Sequence, residues 1–155
     1  MHSADGSRMR EAVLTADELE RRLAVEFPEL FNEEQALHIE AVWHGGCRVR
    51  RGFHAGALRP GGTISGPTLM MLADFSMYVA LLASIGWVPL ATTSSLTINF
   101  LSKPRPLALA AECRLLRIGR RLAVGEIGIR SDGHADLVAH ATSTYAIPSR
   151  ASGAG

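Results

Sequence analysis

The sequence predicts an α+β domain, a curled antiparallel β-sheet wrapped around one long central helix. Three observations predict it. Residues 67–85, "PTLMMLADFSMYVALLASI", are apolar on nearly every helical side, so such a helix is buried on most of them. The segments before and after it read as strands, by alternation and β-branched content. The breaks between those segments are short, which joins antiparallel neighbours and excludes an alternating βαβ chain.

The elements follow in order. Residues 1–12 are polar and read as a loose segment without the apolar core of a signal peptide. Thr15-Ala-Asp-Glu18 reads as a capping box, and "LERRLAVEF" behind it has apolar residues at helical spacing. This predicts a short amphipathic helix over 16–27, stopped by Pro28 and packed as a lid on the main body. "ALHIEAVW" (36–43) and "CRVRRGF" (47–53) read as two strands joined by the tight turn His44-Gly-Gly46. "RPGG" (59–62) is a second glycine-rich break. The long helix then runs over 67–85, with Ser65 or Gly66 as cap, Pro67 in its first turn and Gly86 at its end. Four strands close the chain: "SLTINFL" (95–101), "LALAAECRLLRI" (107–118), "RLAVGEIGIRS" (121–131) and "ADLVAHATSTYAI" (135–147). Residues 1–34 are thus a tail and short helix, and 35–150 the main domain.

The totals restrict function. The chain has 155 residues, 47% hydrophobic and 20% charged, with net charge +1. That suits one soluble globular domain and gives no global attraction to nucleic acid or anionic membrane. Residues 75–102 carry no formal charge, but Gly86, Pro89 and Thr92–Ser95 interrupt them, so no membrane insertion is expected. Cys47 and Cys113 form no metal spacing and no disulfide framework, and a reducing cytoplasm is the expected location. The six histidines show no HExxH, and there is no GxGxxG or P-loop. No metal and no cofactor is expected.

One residue breaks the pattern. Asp74 is a lone carboxylate inside the apolar helix. Burying it is costly unless it is hydrogen-bonded, paired or protonated. It is therefore either a structural acid bonded to a neighbouring backbone or a functional one.

The order of elements resembles the hotdog fold. "GTISGPTLMMLAD" (62–74) is similar to the G-x-x-H-G-G frame of PaaI-like acyl-CoA thioesterases, where an acid follows nine residues after the histidine position. Here Ser65 to Asp74 is that interval. "ATTSSLTINFLSKP" and "LLRIGRRLAVGEIGIRSDGHADLVAHATSTYAI" resemble the family's later strands. Gly62 and Gly66 match family glycines. Ser65 stands at the histidine position, Pro67 at the second glycine and Arg59 at an asparagine.

The resemblance implies hydrolysis of an acyl-CoA thioester to free acid and coenzyme A, with coenzyme A as part of the substrate. Asp74 would act as general base or nucleophile. The Gly66 N–H would hold the oxyanion. Thr93 would orient the attacking water, a role that a shift in alignment moves to Thr92 or Ser94. Ser65 either caps the helix or hydrogen-bonds the thioester. Arg59 pairs with a carboxylate, grips a phosphate or contacts substrate. Arg117, Arg120 and Arg121 surround a turn, either as solvated cations or as a rim for coenzyme A phosphates. The resemblance also implies a site shared between subunits, hence a homodimer, with a homotetramer as the larger assembly. Two other functions fit the fold: a non-catalytic acyl-CoA binder or sensor, and a hydratase or dehydratase, which needs a histidine beside the acid.

Overall fold

A computed structural model describes residues 10–149. Residues 1–9 of the expected loose segment, and Arg150 at the expected end of the main domain, lie outside the described residues.

Helix α1 spans Ala16–Glu26. Its capping box is formed: Glu18 N–H donates to Thr15 Oγ1 at 3.1 Å, and Thr15 N–H donates to Glu18 Oε2 at 2.8 Å. Leu19 and Leu23, one turn apart, are the residues it buries. Strands β1 (Leu37–Trp43) and β2 (Gly46–Arg51) form the expected hairpin, and Gly45 makes its turn at φ 97°.

Beyond the expected pattern, the "RPGG" break is a miniature hairpin. Strands β3 (Leu58–Arg59) and β4 (Thr63–Ile64) pair across it. Helix α2 spans Gly66–Ile85, with Ser65 as N-cap and Gly86 as C-cap at φ 101°. Then follow β5 (Thr92–Phe100), β6 (Leu109–Ile118), β7 (Leu122–Ser131) and β8 (Leu137–Ala146). The fifth strand starts three residues earlier than expected. Thr92 and Thr93, taken as part of a break, already pair with Ala146 and Tyr145 of β8, and a bulge follows between Thr93 and Ser95.

The six long strands make one antiparallel sheet in the order β1-β2-β6-β7-β8-β5, curled around α2. This is the hotdog arrangement. Its inner face buries Cys47, Val49, Ala111, Cys113, Ile127, Ile129, Ala139 and Ala141. The fit to α2 is close: a Cβ at Gly125 would lie 2.6 Å from Met77 Sδ, so only glycine lets the helix approach β7 there. Both cysteines are free and buried. By length and composition α2 is apolar enough to span a membrane, but here it is the core helix.

Candidate active site

Asp74 projects from α2 toward the inner face of the sheet where β5 and β8 meet. Thr93 Oγ1 donates to Asp74 Oδ1 at 2.6 Å. Tyr145 Oη donates to the same oxygen at 3.0 Å, with a longer approach of 3.3 Å to the Asp74 carbonyl. Thr93 and Tyr145 are direct cross-strand partners. One register pair therefore presents two hydroxyls to one carboxylate oxygen. Asp74 Oδ2 takes no hydrogen bond or ion pair among the described residues.

The bulge decides which hydroxyl faces inward. Leu96 and Ile98 are the more sheltered residues of β5, and strict alternation would continue with Ser94. The extra residue between Thr93 and Ser95 shifts the phase, so Thr93 turns inward and Ser94 is exposed.

Asp74 is half-buried and lines a cleft of about 190 Å³. Phe75, Tyr78, Pro89, Ala91 and Tyr145 are among its walls, and Phe27 and Leu30 close it from the α1 side. The Phe27 and Tyr78 rings lie 6.4 Å apart, and the Tyr78 and Tyr145 rings 6.1 Å. Burial, and then the charge of Asp74, push the Tyr145 hydroxyl far above the ordinary tyrosine range. Burial, then Glu26, push Tyr78 up as well, and its hydroxyl donates to the Pro89 carbonyl at 2.9 Å.

The other expected residues fall in two further places. Gly66 lies in a groove of about 560 Å³ together with Arg59, Ile64, Leu69, Phe100 and Lys103. Ser65 caps α2, accepting from the Thr68 N–H at 3.4 Å and meeting Thr68 Oγ1 at 2.9 Å. The Gly66 N–H keeps its place ahead of the first helical bond. A Cβ at Gly66 would meet the Phe100 ring at 3.3 Å, so the glycine also opens the groove. Pro67 is exposed in the first turn, Gly62 is exposed at φ 76°, and Arg59 makes no ion pair with Asp74. Arg120 and Arg121 line a separate cavity of about 330 Å³ with Ile85 and Ile147, near exposed Arg117.

The structure thus brings Asp74 and Thr93 together, and Gly66 and Arg59 together, but keeps these pairs apart. Gly66 precedes Asp74 by eight residues of α2, about 12 Å along the axis at about 1.5 Å per residue. Arg120 and Arg121 sit beside the opposite end of the same helix. Sequence reasoning missed Tyr145, Phe27 and Leu30. Tyr145 was readable as an inward residue, since it alternates with buried Ser143 and Ala141. Its partner was not, because the β5–β8 register is set by the bulge. Among the described residues no cluster of His, Cys, Asp or Glu is suited to a metal ion.

Comparison with known proteins agrees with this architecture. The thioesterase superfamily model matches residues 61–138, which include α2, β5, β6 and β7. A candidate thioesterase from a Silicibacter species is 38% identical, with TM-score 0.80, over 91% of this chain and 96% of that one. A conserved protein from Pseudomonas aeruginosa is 25% identical, with TM-score 0.70, over 79% of this chain and 99% of that one. The PaaI protein of the E. coli phenylacetic acid degradation operon shares the fold at 19% identity and TM-score 0.74, over 86% of this chain and 93% of its own. No curated protein matches by sequence. With the curled sheet, the central helix and its half-buried acid, these matches identify the chain as a member of the thioesterase superfamily, a thioester hydrolase whose hotdog fold PaaI shares.

Proposed function

We propose that the protein is an acyl-CoA thioesterase in which Asp74 carries the chemistry. The observation behind this is the Asp74 carboxylate itself. One oxygen is fixed by Thr93 and Tyr145, and the other has no hydrogen-bond partner among the described residues and faces a cleft. As a base, that free oxygen takes a proton from water while the hydroxide adds to the thioester carbonyl. The C–S bond then breaks and the thiolate recovers the proton. As a nucleophile, it forms an acyl-aspartyl anhydride with loss of the thiolate, and water then releases the acid. In single turnover in heavy-oxygen water, label in Asp74 marks the second route with water adding to the aspartyl carbonyl, and trapping of the anhydride by hydroxylamine marks it whichever carbonyl the water attacks.

The oxyanion donor in this reading is the Gly66 N–H of one protomer, acting on a thioester held at Asp74 of its partner. The 12 Å axial offset within one chain supports a shared site, because a donor must lie about 3 Å from the oxyanion. Two features support a homodimer. Pro67, Met70, Met71 and Asp74 form an i, i+3, i+4, i+7 stripe of α2 that the protomer's own sheet does not fully cover. Strand β5 is a nine-residue sheet edge that leads into exposed Phe100 and Leu101. The coenzyme A phosphates are assigned to Arg59 at the Gly66 groove. A role for Arg117, Arg120 and Arg121 requires the partner's copy. Two buried free cysteines suit a cytoplasmic location. Among the described residues no histidine lines the Asp74 cleft, which favours hydrolysis over hydration.

The test is thiol release from a panel of acyl-CoA esters. Asp74→Asn keeps the shape and removes the charge, and kcat should fall by about 100- to 10,000-fold. Hydrolysis at the wild-type rate by this variant contradicts the assignment. Saturable acyl-CoA binding with no thiol release by the wild type contradicts catalysis altogether.

A further inference from the structure

We infer that Tyr145 is a positioning residue of this hydrolase, one that with Thr93 pins Asp74 Oδ1 and so selects Oδ2 as the reacting oxygen. The inference rests on the reading of Asp74 as the catalytic acid. Its basis is geometric. A carboxylate has two chemically equivalent oxygens and exchanges them by rotation about the Cβ–Cγ bond. Here both available hydroxyls converge on the same oxygen, at 2.6 Å and 3.0 Å. The Thr93 distance is in the range of a charge-assisted hydrogen bond, and the Tyr145 distance is at the long end of an ordinary O–H···O bond. Rotation would break both at once.

The donors are themselves held. Thr93 and Tyr145 are opposite one another in the β5–β8 ladder, so the backbone sets their separation. The Tyr145 side chain is 3% exposed, and its ring packs 6.1 Å from that of Tyr78. Tyr78 is fixed in turn by its bond to the Pro89 carbonyl. Burial and the adjacent carboxylate keep the Tyr145 hydroxyl protonated throughout the range in which an esterase works, so it stays a donor. No other described function uses this hydroxyl. A phenylalanine would fill the same space, so packing alone does not account for the tyrosine.

Tyr145→Phe removes the donor and keeps the ring. The expected result is a kcat lower by about 10- to 100-fold, as for a small misplacement of a reacting group. KM stays within about twofold, the solution mass is unchanged, and the melting temperature falls by no more than the few degrees that one lost hydrogen bond costs. Thr93→Val should act in the same way. Because the two hydroxyls share one oxygen, the double variant should lose less than the product of the single losses. A merely structural tyrosine would lower thermal stability and leave kcat per folded dimer intact. Wild-type kcat in Tyr145→Phe, or losses that multiply fully in the double variant, would overturn the inference. Should Tyr145→Phe not fold, Thr93→Val tests the same pin through its other donor. An unchanged kcat there also overturns the inference. Asp74→Asn is run alongside. If it is inactive while Tyr145→Phe is fully active, only the positioning role fails. If Asp74→Asn is itself active, the reading beneath it fails.

Discussion

The two halves of α2 are alike in sequence and unlike in surroundings. From Phe75 to Ser84 every side chain is buried, including Ser76 and Ser84, whose hydroxyls donate to the Leu72 and Ala80 carbonyls at 2.7 Å. The sheet wraps this half, and two segments close over its end: Val13 N–H, ahead of α1, donates to the Ala83 carbonyl, and Gly45 N–H, in the β1–β2 turn, donates to Ser84 Oγ. From Gly66 to Asp74, by contrast, Pro67 and Met70 are exposed, and Met71 and Asp74 only half-covered. Asp74 sits where one regime passes into the other. There it is near enough to the core for two strands to hold it, and near enough to solvent for water and a thioester to reach it. The same helix is core in one half and, in the proposed reaction, working surface in the other.

Substitutions in the two halves should therefore move different observables. In the closed half, Leu81→Ala removes a fully buried side chain and should cost about 2–5 kcal/mol in unfolding free energy. Denaturant titration measures this, and kcat of the remaining folded protein should be unchanged. In the open half, Met70→Asp should leave the unfolding of the protomer almost unaltered and weaken the dimer, seen as a lower mass in sedimentation. A stable dimer with that aspartate in place would remove Met70 from the interface. Ser65→Ala, at the start of the open half, should cost about 1 kcal/mol as a lost helix cap. A much larger loss of kcat than of stability would give Ser65 a direct role on the thioester.

The weakest effect concerns pH. Tyr78 and Tyr145, the only tyrosines, are both shifted upward by burial. The unfolded chain ionises them near pH 10, while the folded protein holds their protons longer. Their contribution to stability is complete below about pH 10 and is lost as pH rises through the folded values. Tyrosinate absorbance should therefore appear together with unfolding, not before it. A tyrosine that titrates at its ordinary value in the folded protein would contradict the burial of one of them.

The difference between the halves also marks what the sequence could convey. The apolar run announced α2, the Thr15–Glu18 box announced α1, and Gly45 announced a turn, because each is a local preference that the fold obeys. Asp74 stood out because a charge in an apolar helix needs a reason. Its companions were less legible. Thr93 could be told from Thr92 and Ser94 only by the bulge, a property of two paired strands. Tyr145 lies 71 residues further on and meets Asp74 only through that pairing. The β3–β4 hairpin escaped because two-residue strands carry no periodicity. Arg59 and Arg120 were equal as cations in sequence. The frame around Gly66 already held Arg59, and only the fold sets Arg120 beyond the opposite end of the helix.

The central proposal is that the reacting carboxylate and the oxyanion donor come from different protomers. Mixing two inactive variants tests it most directly. Asp74→Asn lacks the acid. Gly66→Pro lacks the N–H and also crowds its own groove at Phe100, and the extended Ser65 backbone, at ψ 151°, accepts a following proline. When the two are unfolded together and reassembled, half of the dimers are mixed and each has one intact site. Activity should return to about a quarter of the wild-type value. No recovery from a mixture shown to contain mixed dimers would place both groups in one chain and contradict the account.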